Sequence, residues 1–333
     1  MRVTPGTIIT AIPSITNNDG TVNIPALNAH LAQISLLFLL AVIDSHKREP
    51  GGDPLTNDAN EIWIGEISVG TPRRSYSGKF LTSTLQPLTY KDLHKNFTIT
   101  YADGTTAHGE QYSDVVALAG LTSKNYAGDG VLGTAFPSIS NFNPMPVFQN
   151  LIAEHQTSEP VFAFKLATSG SELTLGARIR NYILGSLCIQ RYQTGIGNLR
   201  PGWREITLDA ISDNGKIISK SLDAIVDTGT TVIVADSIEV AALYTAVGGQ
   251  DASSTLCSGF YTGTFASLTF GGQSFSVSPE TFNLGPIAKG SSTCIGGIVA
   301  MDARFWLVGD AFLMNTYTVF DYGKKRVGFA NLA

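Results

Sequence analysis

Residues 223–236 constrain the fold more than any other stretch of the chain, because they place an acid in a turn between two apolar runs. Two apolar residues lead into Asp-Thr-Gly-Thr-Thr at 227–231, and Val-Ile-Val leads out. β-Branched runs favour buried strands, so the pattern predicts a strand, a tight turn and a second strand. Gly229 lets the backbone turn and another chain approach, and the threonine hydroxyls can bond the local backbone and stiffen the turn. Because burial and fixed hydrogen bonds tune a carboxyl group, Asp227 is the candidate catalytic residue.

An isolated Asp-Thr-Gly is weak evidence for a catalytic site, because Asp and Gly are ordinary turn residues. The segments that follow it in the chain decide whether the motif is functional. Residues 305–312, Phe-Trp-Leu-Val-Gly-Asp-Ala-Phe, predict a strand that ends at a glycine and runs into a helical turn. Residues 317–321 and 326–330 predict a closing hairpin. Together these motifs resemble the C-terminal lobe of the pepsin-like aspartic proteases, most closely their secreted fungal members. In that family an apolar-apolar-Gly strand packs beside the Asp-Thr-Gly loop. The resemblance implies that four residues support the loop: Thr228, Leu307, Val308 and Gly309.

Three segments of the N-terminal half follow the order of the same family. Residues 61–72 alternate apolar and polar and close on Gly-Thr-Pro, which predicts a strand and a turn. Residues 96–106 predict a hairpin around Ala-Asp-Gly, and residues 129–140 carry another apolar-apolar-Gly strand. The hairpin resembles the flap that closes over substrate. The resemblance implies substrate contacts from the flap, the second strand and the Asp-Thr-Gly loop: Tyr101, Asp103, Gly104, Val131, Gly229, Thr230 and Thr231.

The bulk composition is that of a globular chain. Of its 333 residues 43% are hydrophobic and 15% charged, so the chain can bury a large core and is not disordered. Its 34 glycines and many short apolar runs predict an all-β protein with few short helices. A net charge of −5 gives no footprint for nucleic acid. The three cysteines and five histidines show no metal-binding spacing, so we expect no metal, and the resemblance implies no cofactor.

The resemblance implies a bilobal pepsin-like fold and a protein that is a monomer. It divides the chain into a prosegment-like N-terminal extension at 1–60, an N-terminal β lobe with the flap at 61–176, and a C-terminal β lobe with the Asp-Thr-Gly motif at 177–333. Residues 177–189 depart from the family pattern and are interpreted as an insertion.

The N-terminal lobe is predicted to be incomplete, because its own Asp-Thr-Gly loop is missing. In the family this loop follows the entry strand, but residues 73–85 contain no aspartate and the next one is Asp92. The family's chemistry uses two carboxyl groups that share one proton, and Asp227 supplies one of them. Three explanations stay open: a natural pseudo-protease, a mis-assembled gene sequence, and a half-site completed by a second chain.

The apolar run at 34–43 is too short to span a bilayer. Its flanking charges, His46, Lys47 and Arg48, follow the run instead of preceding it, so it is not a clean signal peptide. We interpret it as a buried strand or helix of the extension, with a displaced signal-peptide core as the alternative. By resemblance the extension is a prosegment, Lys47 and Arg48 form a candidate processing site, and the protein is secreted or vacuolar.

Cys257 and Cys294 are candidates for a disulfide, because Cys294 lies where the family has one half of its C-terminal-lobe disulfide. The family's usual partner position carries no cysteine here, and Cys257 lies earlier in the chain. One disulfide that leaves Cys188 free, or three unpaired thiols, therefore both remain open.

The sequence predicts an aspartic-type endopeptidase that hydrolyses peptide bonds with a carboxylate-activated water. Its partner is a polypeptide substrate or peptide ligand, and neither nucleic acid nor a membrane span is expected. The alternative is a catalytically inactive peptide-binding pseudo-protease or a truncated gene product, because one carboxyl group of the pair is missing.

Overall fold

The computed structural model describes the chain in segments. These are residues 14–33, 51–60, 62–69, 71, 74–77, 91–100, 106–127, 136–139, 145–193, 204–249, 256–258, 267–301 and 304–333. The predicted buried element at 34–43 lies outside them.

Strands dominate the regular structure, which confirms the prediction of an all-β chain with few short helices. In chain order the strands are β1 (Gly51–Asp58), β2 (Ile62–Ile64), β3 (Glu66–Val69), β4 (Arg74–Ser77), β5 (Lys91–Thr100), β6 (Thr106–Leu118), β7 (Leu121–Ala127), β8 (Val161–Lys165), β9 (Ser171–Leu175), β10 (Ile183–Arg191), β11 (Glu205–Asp213), β12 (Lys216–Val226), β13 (Ile233–Asp236), β14 (Leu256–Ser258), β15 (Ser267–Phe270), β16 (Gln273–Ser276), β17 (Asn283–Pro286), β18 (Thr293–Gly296), β19 (Ile298–Met301), β20 (Trp306–Val308), β21 (Thr316–Asp321) and β22 (Arg326–Leu332). The helices are α1 (Ile24–Gln33), α2 (Val147–Ala153), α3 (Ser237–Ala246), α4 (Pro279–Phe282) and α5 (Asp310–Leu313). None of these helices is long and apolar enough to cross a membrane.

The strands form four sheets within the described residues. One seven-stranded sheet has the order β10-β22-β21-β8-β9-β1-β2 and so joins the two halves of the chain. A second has the order β16-β15-β11-β12-β20-β13-β19 and belongs wholly to the C-terminal half. A three-stranded sheet, β14-β18-β17, lies in the same half, and a five-stranded sheet of β4, β3, β6, β5 and β7 lies in the N-terminal half.

The segment at 177–189, interpreted as an insertion, contains regular structure, and its status as an insertion stays a prediction. Residues 183–191 form β10, which pairs antiparallel with β22 from Ile183 opposite Leu332 to Arg191 opposite Arg326. The register shifts between Leu184 and Cys188, and this irregularity breaks the alternation that marks a strand in the sequence.

Regular β structure also begins before the predicted lobe boundary at residue 61. β1 pairs with β9 from Gly51 opposite Leu175 to Leu55 opposite Ser171, although it lies in the predicted extension. The division into an extension and two lobes otherwise stays a prediction.

The sheet that carries Asp227 is buried on both faces. Successive side chains of a strand point to opposite faces. Ala224 and Val226 of β12 belong to the main hydrophobic core, whereas Ile225 between them belongs to a second apolar cluster. β20 alternates in the same way, with Val308 in the main core and Leu307 in the second cluster.

The N-terminal segment, residues 14–28, covers this second face. Its apolar side chains are at most 4% exposed and pack with Ile225 and Leu307. They are Ile15, Val22, Ala26 and Leu27. The N–H of Val22 also donates to the carbonyl oxygen of Pro286 at 3.0 Å. The N-terminal segment is therefore part of the core of the C-terminal half.

Leu27→Ala tests this conclusion. Because Leu27 is only 1% exposed, we expect the free energy of unfolding to fall by about 2–5 kcal/mol, as for other buried leucines. Ile238→Ala is the matched control, since Ile238 on α3 is 78% exposed. Urea denaturation measures both, and equal stability of the two variants would mean that the segment is not part of the core.

Asp53 of β1 is a buried carboxyl group with few hydrogen-bond partners. It is 5% exposed, and Oδ1 accepts one long hydrogen bond, 3.4 Å, from the N–H of Glu66. Within the described residues Oδ2 accepts none. Burial raises the pKa of Asp53 from its ordinary value of 3.8 to about 6.

Stability is therefore expected to fall as the pH rises through this range. Between pH 3.8 and about 6 the unfolded carboxyl ionises while the folded one keeps its proton, so the free energy of unfolding decreases. The loss is at most about 3 kcal/mol, because one pKa unit corresponds to about 1.4 kcal/mol. Asp53→Asn should remove this part of the pH dependence. Urea denaturation at acid and neutral pH compares the two proteins, and an identical loss in both contradicts the prediction.

Candidate active site

Asp227 lies at the end of β12, where three strands meet. β20 lies between β12 and β13, so Val308 is the partner both of Val226 in a parallel pair and of Ile233 in an antiparallel pair. The N–H of Asp227 donates to the carbonyl oxygen of Val308 at 3.1 Å. The residues on each side of the loop are apolar, so the end of β12 and the start of β13 are buried in the core. These two strands hold both ends of the loop at 227–231.

Gly309 lets the chain after β20 pass close to the Asp227 loop. A side chain at this position would overlap the backbone carbonyl oxygens of Thr230 and Val232. With the glycine in place, the next N–H, that of Asp310, donates to the carbonyl oxygen of Thr230 at 2.7 Å. The glycine is thus required by close packing of two backbones.

The carboxylate of Asp227 is held by two hydrogen bonds from its own loop. The residue is 6% exposed. The N–H of Gly229 donates to Oδ1 at 2.9 Å, and the hydroxyl of Thr230 donates to Oδ2 at 2.7 Å. Burial raises the pKa of Asp227, while these two donors and the nearby positive charge of Arg204 lower it. The pKa of Asp227 is raised overall, because the effect of burial exceeds that of the donors and of Arg204, and the two hydrogen bonds fix the orientation of the carboxyl group.

The other residues expected around the loop are distributed between the interior and the surface. Thr230 is buried, Thr228 and Thr231 are half-buried, and Gly229 is exposed. The carbonyl oxygen of Thr231 accepts a hydrogen bond from the N–H of Ala311 at 3.0 Å. The loop therefore reaches the surface at its tip while its acid stays inside.

Asp310 is a second buried acid beside Asp227. It is 3% exposed, and within the described residues its Oδ1 has no hydrogen-bond partner. Burial, and to a lesser degree the charge of Asp227, raise the pKa of Asp310 well above its ordinary value, so Asp310 holds its proton to a higher pH than an ordinary aspartate. The sequence contained a signal for it, since it directly follows Gly309, but the motif was interpreted only as loop support.

Arg204 is the second residue that sequence reasoning missed. It lies just before β11, is 7% exposed and carries the positive charge that acts on Asp227. No local pattern marks it, because its neighbours in space come from distant parts of the chain.

The model of the eukaryotic aspartyl protease family matches residues 60–332. The chain belongs to this family. The predicted resemblance to pepsin-like aspartic proteases is thereby confirmed.

Individual proteins that are similar to this chain over most of its length include aspartic proteases. An aspartic protease of Phaffia rhodozyma is 33% identical over 310 residues, which cover 84% of this chain and 74% of the relative. Cathepsin E of Rattus norvegicus is 28% identical over 336 residues, covering 84% of this chain and 82% of the relative. Syncephapepsin of Syncephalastrum racemosum is 29% identical over 334 residues, covering 87% and 82%.

The expected flap contacts of this aspartyl protease lie outside the described residues. These are Tyr101, Asp103 and Gly104, together with Val131 of the second apolar-apolar-Gly strand. The two strands that flank the flap position are described, and they pair antiparallel up to Thr100 opposite Thr106.

Of the three cysteines, one is a free thiol and another is disulfide-bonded. Cys188 is free, and its Sγ donates to the carbonyl oxygen of Phe270 at 2.8 Å. Cys294 is disulfide-bonded. Cys257, the third cysteine of the chain, lies directly opposite Cys294 in the pairing of β14 with β18.

The described residues contain no group of three or more His, Cys, Asp or Glu side chains that could hold a metal ion.

Proposed function

We propose that this protein is an aspartic-type endopeptidase in which Asp227 is the catalytic carboxylate. One observation carries the proposal: Asp227 is buried at a strand end, with a backbone N–H and a hydroxyl donating to its two oxygens. Membership of the aspartyl protease family supports it.

In the proposed reaction Asp227 acts as a general base. It takes a proton from water while the water oxygen bonds to the carbonyl carbon and the C=O π pair moves to the carbonyl oxygen. Collapse of this tetrahedral intermediate breaks the C–N bond, and the amine leaves with the proton that Asp227 had taken. Gly229 and Thr230 keep the carboxylate in one orientation, so the same lone pairs stay directed at the water.

The step also needs an acid that protonates the carbonyl oxygen. In the family that acid is a second carboxyl group, and residues 73–85 do not supply it. Loss of one general acid lowers a rate by about 10²–10⁴. We therefore propose a slow enzyme.

The proposed substrate is a polypeptide bound in an extended conformation, whose backbone pairs with the protein as an added strand would. The flap residues Tyr101, Asp103 and Gly104 cover it. Val131 lines a side-chain pocket, and the loop contributes Gly229, Thr230 and Thr231. No cofactor or metal takes part. We propose a monomer that is secreted or vacuolar.

A second candidate function is peptide binding without cleavage. The absence of any aspartate between residues 73 and 85 favours it, because the family's acid pair is then incomplete. Such a pseudo-protease would keep the peptide site and lose the chemistry.

A cleavage assay separates the two functions. The purified chain is incubated at acid pH with an unfolded protein, with and without a statine-type transition-state inhibitor, and Asp227→Asn serves as the blank. Inhibitor-sensitive cleavage that the variant lacks supports the enzyme. Inhibitor binding without cleavage supports the pseudo-protease, and the absence of both overturns the two proposals.

A further inference from the structure

Asn96, Phe97 and Thr98 form the chain's only Asn-x-Ser/Thr tripeptide, and the proposed cleavage reaction does not use them. An asparagine followed two residues later by Ser or Thr, with any residue except proline between them, is the acceptor sequence for an N-linked oligosaccharide. A tripeptide of this kind also arises by chance, so the position of Asn96 in the fold has to be considered.

The two polar residues of the tripeptide lie on the same face of β5. This strand pairs antiparallel with β6, with Asn96 opposite Glu110 and Thr98 opposite His108, and the register does not shift between these pairs. Since alternate residues of a strand point to the same side, the amide of Asn96 and the hydroxyl of Thr98 are neighbours. Both residues are exposed. A large polar group on Nδ2 of Asn96 would therefore extend into solvent.

β5 is the end strand of its sheet. Among the described strands it pairs with β6 alone, so its other edge has backbone N–H and C=O groups without a strand partner. Edges of this kind can pair with another chain, and proteins commonly cover or charge them. An attached oligosaccharide is bulky and solubilising, so one at Asn96 would shield this edge.

We propose that Asn96 is the acceptor of an N-linked oligosaccharide that shields the free edge of β5. The inference rests on the secreted or vacuolar location under the proposed function, because the sugar donor belongs to the secretory pathway. In the transfer, Nδ2 of Asn96 bonds to C1 of the first sugar of an oligosaccharide carried on a lipid diphosphate. The bond between C1 and the diphosphate oxygen breaks, Nδ2 loses one proton, and the lipid diphosphate leaves.

The test expresses the full chain in a eukaryotic secretion host, once as it stands and once behind a cleavable secretion leader of the host. Peptide N-glycosidase in H₂¹⁸O converts a glycosylated asparagine into ¹⁸O-labelled aspartate, which peptide mass mapping then locates. We expect the label at position 96. Asn96→Gln and Thr98→Ala should lose the oligosaccharide completely, whereas Thr98→Ser keeps the acceptor sequence and should keep the oligosaccharide.

Asn181→Gln is the matched control. Asn181 is also exposed, but Ile183 lies two residues after it, so it is not in an acceptor sequence. This substitution should leave the oligosaccharide unchanged. The label is measured on the wild-type chain, so a variant that does not fold leaves the assignment intact.

The outcomes separate the inference from the proposed location and from the chemistry. A label at Asn96 in both expressions supports the inference and the location. A label only behind the leader supports the inference and counts against the location proposed for the chain as it stands. A folded, secreted protein without a label at Asn96 overturns the inference. The cleavage assay on Asp227 is independent of all three results.

Size-exclusion chromatography of the folded proteins tests the shielding of β5. Asn96→Gln should form oligomers at a several-fold lower protein concentration than the wild type, because the edge of β5 is then open to a second chain. Thr98→Ser should behave as the wild type does. If Asn96→Gln and the wild type form oligomers at the same concentration, the shielding role is overturned.

Discussion

Asp227→Asn is expected to lower the rate of peptide-bond cleavage at acid pH at least about 100-fold, while the protein stays folded. The amide cannot accept a proton from water, so the proposed base is lost. Initial rates on an unfolded protein substrate, measured at several acid pH values, give the size of the effect.

The fold should survive this change because the amide fits the same two partners. Its oxygen can accept from the N–H of Gly229, and its NH₂ can donate to the hydroxyl oxygen of Thr230, which then gives up its present role as donor to Oδ2. Urea denaturation should therefore show a free energy of unfolding within about 1 kcal/mol of the wild type. Asp213→Asn is the control, since the carboxylate of Asp213 accepts hydrogen bonds only from the side chain of its neighbour Asn214 among the described contacts. Cleavage by Asp227→Asn at a rate near that of the control would show that another residue is the base.

Gly309→Ala is expected to destabilise the protein by about 3 kcal/mol or more and to remove activity with it. The added methyl group would meet two backbone carbonyl oxygens, those of Thr230 and Val232, and a backbone cannot move aside as a flexible side chain can. The loop would have to separate from β20, which breaks the hydrogen bond from Asp310 to Thr230. Urea denaturation followed by tryptophan fluorescence measures the loss.

Gly52→Ala is the matched glycine variant. A methyl group there would lie 3.5 Å from a carboxylate oxygen of Glu172, which is an ordinary contact with a flexible side chain. We expect no more than about 0.5 kcal/mol of change. Equal stability of the two alanine variants would show that the loop and the chain after β20 do not pack as closely as described.

The sequence carried the local part of the site. The β-branched runs around residues 227–231 predict the strands that enclose the acid, and the apolar-apolar-Gly motif predicts the strand beside it. These features are readable because each depends on residues adjacent in the chain. Asp310 was visible in the same motif, but its role depends on burial and on the charge of Asp227, which no local pattern encodes.

The long-range parts of the site could not be derived from the sequence. Arg204 gains its significance from Phe162 and Phe320, rings from two other strands. The strand character of β10 is not evident in the sequence, because a register irregularity between Leu184 and Cys188 breaks its alternation. The burial of the N-terminal segment depends on four apolar residues with no strand or helix period, so the sequence alone does not show what they cover.

Ile15, Val22 and Leu27 pack against β12 and β20, the strands that hold Asp227. This packing has a consequence for any maturation of the protein by cleavage. We expect a backbone cut between α1 and β1 to leave two fragments that stay bound and elute together under native conditions, because these apolar side chains pack in one cluster with Ile225 and Leu307. Dissociation of the smaller fragment would expose the apolar side chains of Ile225 and Leu307 to water. Maturation would then depend on the dissociation of that fragment and not on the cut alone.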